Sequence, residues 1–148
     1  MEFKIVDGEQ YLDEILEYDM QVSREFLQFD LTEREYVEAY SAVINKLFSE
    51  GKHKFFAAVD EKGRYLGHVW VCITIDTVDY VKIAYIYDIE VKTKGIGIGS
   101  ALLKKAEEFA KENDARKIVL RVEINNPALD WYKRRGYNER AVIMEKLL

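Results

Sequence analysis

The chain has 148 residues, of which 22 are basic and 27 acidic, giving a net charge of -5 with 49% hydrophobic and 33% charged residues. This is the balance of one folded domain over residues 1–148; it excludes a disordered chain and argues against duplex nucleic acid as the main partner. One cysteine, Cys72, forbids an internal disulfide, and two histidines make a dedicated zinc site unexpected, so no metal is assigned. No apolar run reaches the length of a membrane span and the N-terminus lacks a signal-peptide pattern. The expectation is a cytoplasmic protein without a membrane partner.

In chain order, Lys4 to Val6 reads as a short strand. Glu9 to about Phe29 follows as a helical stretch, with Leu12, Ile15, Leu16, Met20, Phe26 and Leu27 at helical spacing. Thr32 with Glu35 three residues on is a capping-box pattern, opening a second helix that runs to about Ser49. Beyond Gly51 the period changes to two. Phe55–Val59 is a strand, Asp60–Arg64 a hairpin turn, and the next strand places Val69, Val71, Ile73 and Ile75 on one face. Asp76–Asp79 turns the chain into a further strand, Val81–Val91.

After Gly95–Gly99 comes a helix whose buried stripe is Leu102, Ala106, Phe109 and Ala110. Lys117–Glu123 is a strand without strict alternation, as for one covered on both faces, and completes a parallel crossover. Pro127 opens a last helix that Gly136 ends, and Tyr137–Leu148 returns as a strand. The fold class is α+β: a mixed, mostly antiparallel sheet with one central parallel β-α-β crossover, flanked by helices.

The informative segment is Lys94-Gly95-Ile96-Gly97-Ile98-Gly99-Ser100, at the junction of a strand and a helix. Alternate glycines let the backbone turn tightly and leave amide N–H groups unshielded. Those amides and the positive end of a helix dipole cradle a phosphate, with Lys94 adding a cation. A Walker A loop needs Lys and Ser/Thr after its last glycine, whereas Gly99 is followed by Ser100 and Ala101. A dinucleotide fold is imitated by Glu123, which ends the next strand, but such a site needs two parallel halves and the chain has one crossover.

These residues resemble the GNAT superfamily, the Gcn5-related N-acetyltransferases. The family's acetyl-CoA motif, Arg/Gln-x-x-Gly-x-Gly/Ala, falls on Lys94–Gly99, followed by Ala101, Leu102 and Leu103. A second block is similar to Asn125, Ala128, Tyr132, Gly136 and Tyr137, and Tyr85–Val91 looks like the central fourth strand. The resemblance covers about Gly63 to Tyr137. It departs at Lys94, which keeps the charge but lacks a guanidinium fork, and in a shorter segment from Val91 to Lys94.

The resemblance implies acetyl-CoA as acetyl donor, a ternary complex and a primary amine as acceptor. It implies that Ile89, Glu90 and Val91 offer backbone to the thioester and pantetheine. Lys94, Gly95, Ile96, Gly97, Ile98, Gly99 and Ser100 would take the pyrophosphate and Asn125 would fix the cofactor. Tyr132 is the implied general acid for the leaving thiolate. The general base is open between Asp88 and Glu90, which share a strand face if no bulge intervenes. Asn126 is placed to cap the last helix. His53 and His68 read as surface or satisfied histidines away from the central strand, and Cys72 as a small buried residue.

The acceptor, a small-molecule or peptide amine, is expected between the first two helices and the Ile75–Val81 hairpin. Asp30, Glu33, Asp76 and Asp79 there would either attract a cation or simply solvate turns. The apolar end of the chain, Ala141–Leu148, permits the homodimer that terminal strands form in the family. The alternative to an enzyme is a non-catalytic CoA-binding sensor or interaction module on the same fold.

Overall fold

The computed structural model describes residues 2–148. A five-stranded sheet runs in the order β1 (Phe3–Asp7), β2 (Lys52–Asp60), β3 (Tyr65–Ile75), β4 (Lys82–Val91) and β5 (Ile118–Leu120). Neighbours are antiparallel except β4 and β5, which pair in parallel from Ala84 with Ile118 to Ile86 with Leu120. Helices α1 (Leu12–Ser23) and α2 (Glu33–Phe48) pack on one face. Helix α3 (Ile98–Glu112) packs on the other, together with the short α4 (Ala128–Lys133). No helix among the described residues is long and apolar enough to cross a membrane.

Local signals carry much of this. Thr32 and Glu35 form the reciprocal capping box at the start of α2. Leu102, Ala106, Phe109 and Ala110 of α3 are buried against Val69, Val71, Ala84 and Ile86. Gly136, with φ of +90°, ends α4 in a left-handed turn whose Tyr137 N–H reaches the Tyr132 carbonyl.

Three expectations are corrected. The first helix stops at Ser23 and tightens into a 3-10 turn at Arg24–Phe26, so Phe26 and Leu27 are exposed instead of continuing its apolar stripe. Ile75 lies beyond the covered part of its strand and is 57% exposed, unlike Val69 and Val71. The third concerns the two ends of the crossover: β5 spans Ile118–Leu120, not Lys117–Glu123, and Tyr137–Leu148 forms no strand. Ala141-Val142-Ile143-Met144 is apolar without alternation, so it has no single face to bury, and Val142, Ile143 and Met144 are exposed. The parallel pair therefore lies at the sheet edge, since nothing pairs beyond β5.

Candidate active site

The centre of the site is made by one extra residue. In β3–β4, Val71 pairs with Ile86 while Trp70 pairs with Asp88, leaving Tyr87 as a β-bulge. Ala84 and Ile86 face the apolar layer under α3. Simple alternation would send Asp88 and Glu90 into that same layer. The bulge reverses the facing: Ile89 and Val91 now pack on the α3 side, and Asp88 and Glu90 turn toward α1 and α2.

There they meet His68, which is opposite Glu90 on β3 and 0% exposed. His68 Nε2 bonds the Asp88 carboxylate and lies 3.5 Å from Glu90 Oε1, while Nδ1 is 2.5 Å from the Tyr65 hydroxyl. This corrects the reading of His68 as remote from the central strand. A count back from the hairpin does not find it: with Ile75 paired to Lys82, equal steps bring His68 level with Ile89, on the face away from both acids, and only the bulge sets it opposite Glu90. With Tyr65 and Asp88 engaging both ring nitrogens, the imidazole has no free lone pair for an ion, although His68, Asp88 and Glu90 bring polar atoms within 4.8 Å of one another.

A third carboxylate comes from α1. Asp19 accepts a hydrogen bond from the Tyr40 hydroxyl of α2 at 2.6 Å. It follows Ile15 and Leu16 on the buried stripe of its helix, and a carboxylate on such a stripe was the sequence signal for it. Burial first, then Asp88, pushes Asp19 up to about 6. Burial, then Asp88 and Asp19, pushes Glu90 up to about 11. Glu90 is 9% exposed and its Oε1 has no hydrogen-bond partner. Three carboxyl groups in one low-dielectric cluster cannot all ionise cheaply, and Glu90 is the one that keeps its proton.

The cluster opens into a cleft of about 310 Å³ where β4 and β5 part, lined by Asp19, Phe26, Asp88, Glu90, Glu123 and Tyr132, among others. Because β5 ends at Leu120, the β4 edge beyond Ile86 has no strand partner on that side. Ile89 also lines the cleft, and Val91 follows at the end of this open edge. Tyr132 of α4 is buried, reaches the cleft, and makes no hydrogen bond to the described residues through its hydroxyl. Burial, then the Asp88 charge, pushes its phenol above the usual range. Asn126 lines the cleft and accepts the Ala128 N–H at 2.9 Å, the cap expected of it. Asn125 is exposed on the preceding turn, outside the cleft lining.

At the far end of β4, Gly95 and Gly97 have φ of +86° and +88°, a region that L side chains rarely adopt. A Cβ at either would meet nothing within 4 Å, so the loop faces open space. Gly97 is the N-cap of α3 without a side-chain cap bond, which leaves the first helical amides beginning at Ile98 free for a ligand. Gly99 instead packs against Trp131. Ile98 is buried beneath the turn, Ile96 is half-buried, and Lys94 and Ser100 are exposed at its rim. Sequence reading missed Arg135, which stacks on Trp131 and donates to Ser100 Oγ at 2.9 Å, placing a guanidinium beside this helix start. The loop fits a polyanion: open amides, a helix N-terminus and two cations converge.

The remaining candidates separate. His53 accepts from the Trp70 indole and donates to the carbonyls of Leu47 and Glu50, a satisfied histidine as expected. Cys72 is buried. Asp76 and Asp79 are paired with Lys117, Asp79 also with Arg140, and Glu33 with Arg24. Arg140 and Lys117 hold Asp79 well below the usual carboxylate range. These acids serve ion pairs rather than an open cationic acceptor site.

A bulged strand carrying buried acids, a cleft beside it and a glycine turn at a helix start together make up the candidate site. Residues 16–137 match the Acetyltransferase (GNAT) family, and the chain belongs to that family. A relative of Methanocaldococcus jannaschii, an uncharacterised N-acetyltransferase, is 30% identical over 136 residues, covering 89% of this chain and 58% of that protein. A second, the "Putative [ribosomal protein bS18]-alanine N-acetyltransferase" of Bacillus subtilis, is 30% identical over 88 residues, 59% of this chain and 56% of its own. The chain thus spans little more than half the length of either. The solved structure "Putative acetyl transferase from Pyrococcus furiosus" is 58% identical with a TM-score of 0.96, covering 99% of this chain and 100% of that one.

Proposed function

We propose that the protein is an acetyl-CoA-dependent N-acetyltransferase acting on a primary amine by direct attack in a ternary complex. The observation that carries this is the bulge at Tyr87, which turns Asp88 and Glu90 out of the apolar layer and into a cleft that Tyr132 closes from the other side.

The acceptor arrives charged. An alkyl ammonium has a pKa of about 10.4, so near neutrality the free amine is outnumbered by roughly three orders of magnitude. A base beside it is therefore worth much of the rate. Glu90 already carries its proton, which leaves Asp88, held by the His68 Nε2–H, to accept the one the amine sheds. Loss of that proton frees the nitrogen lone pair to attack the thioester carbon, and the carbonyl oxygen takes up negative charge. The unpaired β4 edge from Ile89 to Val91 offers backbone donors to that oxygen and to the pantetheine amides. The carbon–sulfur bond then breaks. Tyr132, which stays protonated at any physiological pH, donates to the departing thiolate, and the second proton that the nitrogen sheds as the amide forms restores the phenol. The pyrophosphate would lie at Gly95–Ser100, with Lys94 and Arg135 beside it.

Two measurements on the purified protein test this. Excess acetyl-CoA should raise Tm by several degrees, as a ligand at about a hundred times its Kd adds roughly 2.7 kcal/mol. Thiol release with a panel of primary alkylamines should be detectable and should fall about a hundred-fold or more in Tyr132→Phe, which keeps the acetyl-CoA shift. A melting shift without thiol release from any amine would instead define a CoA-binding module without turnover. A shift with NAD but none with acetyl-CoA would remove the reading.

A further inference from the structure

We propose that His68, with Tyr65 behind it, is a positioning residue for proton abstraction: its Nε2–H fixes the Asp88 carboxylate toward the amine. The proposal rests on the reading of Asp88 as base given above.

The geometry carries it. An imidazole with no solvent contact, in the middle of a sheet, is costly unless both ring nitrogens are satisfied. Here they are: the Tyr65 hydroxyl meets Nδ1 at 2.5 Å and Asp88 meets Nε2. With Asp88 as a carboxylate, Nε2 carries the proton and donates to it, and Tyr65 keeps the ring from turning. The groups facing the ring are Tyr65 from β3, Asp88 and Glu90 from β4, and more distantly Asp19 from α1. Tyr40 of α2 and Tyr18 of α1 join the surround through Asp19, Glu90 and the Tyr65 ring, and Lys92 lies 5.2 Å over the Tyr18 and Tyr65 rings. Except for His68 and Lys92, every one of these is an acid or a phenol.

The consequence lies in what Asp88 would be without it. Among the described residues the His68 ring is the one hydrogen-bond donor to the Asp88 side chain. Glu90 sits in the same cluster with no donor on Oε1, and it retains its proton. Two carboxyls two residues apart on one strand face thus differ in their contacts: Asp88 meets a ring N–H, while Glu90 is the more deeply buried and has an unpartnered oxygen. Hydrogen bonding to the charged form favours that form, and a fixed carboxylate places its free lone pair at the cleft. The bulge at Tyr87 is what makes the contact: without it Asp88 would face the α3 layer and His68 would lie opposite residue 89.

The test compares His68→Leu, which removes the donor, with His68→Gln, whose amide N–H can replace it. Thiol release from acetyl-CoA with butylamine, followed from pH 5 to 9, should give a His68→Leu kcat at least ten-fold below wild type at pH 7. The acidic limb of the kcat profile should move to higher pH, with KM for acetyl-CoA unchanged. His68→Gln should restore most of kcat and return the limb toward wild type. Both variants scaling kcat alike, with the limb unmoved, would reduce His68 to a packing role and overturn the proposal. A second readout needs no turnover: carboxyl ¹³C NMR titration of Asp88 in the resting protein. Its midpoint should rise in His68→Leu and, by less, in Tyr65→Phe. An unchanged midpoint overturns the proposal even if no amine is ever acetylated, and a raised one upholds the contact while the absence of turnover would count against the acetyltransferase reading alone. Tyr65→Phe keeps that titration decisive should His68→Leu fail to fold.

Discussion

The two faces of one sheet differ more than any two elements of the chain. Under α3 the sheet presents Ala58, Val69, Val71, Ala84 and Ile86 to Leu102, Leu103, Ala106 and Ala110, a layer whose titratable side chains are the phenols of Tyr132 and Tyr137 at its margin. Under α1 and α2 the same strands present Phe55 and Trp70, then His68, Asp88 and Glu90, with Tyr65 and Tyr87 packed among them. The first face is the cheap way to bury a sheet. The second carries an orphaned carboxyl oxygen and three crowded acids, a standing cost that a fold has no stability reason to keep. Energetic inefficiency confined to one face marks where chemistry is done.

The comparison can be broken from either side. The largest stability effect belongs to the apolar face: Leu102→Ala, at a fully buried position, should cost about 2–5 kcal/mol in urea unfolding. Its kcat for thiol release should remain near wild type, because Leu102 does not line the cleft. A loss of kcat as large as the loss of stability would mean the faces are coupled. On the polar face the sign reverses. Glu90 holds its proton up to about 11 when folded, against an ordinary value of 4.5, so the folded state binds the extra proton between those values. Its contribution to stability is complete below about pH 4.5 and declines as pH rises toward 11. Glu90→Gln, neutral throughout, should therefore melt higher than wild type at pH 7, by several degrees, and the gap should widen to pH 9 and close toward pH 4. A lower Tm at pH 7 would show Glu90 to be a structural asset. The smallest effect lies outside both faces. Gly97→Ala should cost about 1–2 kcal/mol, from its positive φ alone, since its Cβ meets nothing. The same variant should shrink the acetyl-CoA melting shift; an undiminished shift would take Gly97 out of the phosphate cradle.

What was legible in the sequence follows the range of the interactions. The capping box of Thr32 and Glu35, the turn at Asp60–Gly63 and the stripe of α3 involve neighbours a few residues apart. The glycine turn was read from its own residues and Tyr132 through the resemblance; Tyr132 lines the cleft, and the glycine turn stands at the start of α3. Asp88 and Glu90 were identified as a pair but not separated, because what distinguishes them is depth of burial and contact with a histidine from another strand. His68 was passed over for the same reason. The end of the chain was misread because an apolar run was taken for a strand although, without alternation, it has no single face to bury.

By itself, the sequence determined the order of elements, the family and the two segments that carry its motifs. Those depend on local propensity, periodicity and the irreplaceable freedom of glycine at positive φ. Only the tertiary structure decided which way Asp88 and Glu90 point, that His68 and Asp19 stand beside them, and that Arg135 reaches the start of α3. A single unpaired residue inverts every side chain after it, and three carboxyls perturb one another only once burial has brought them within reach.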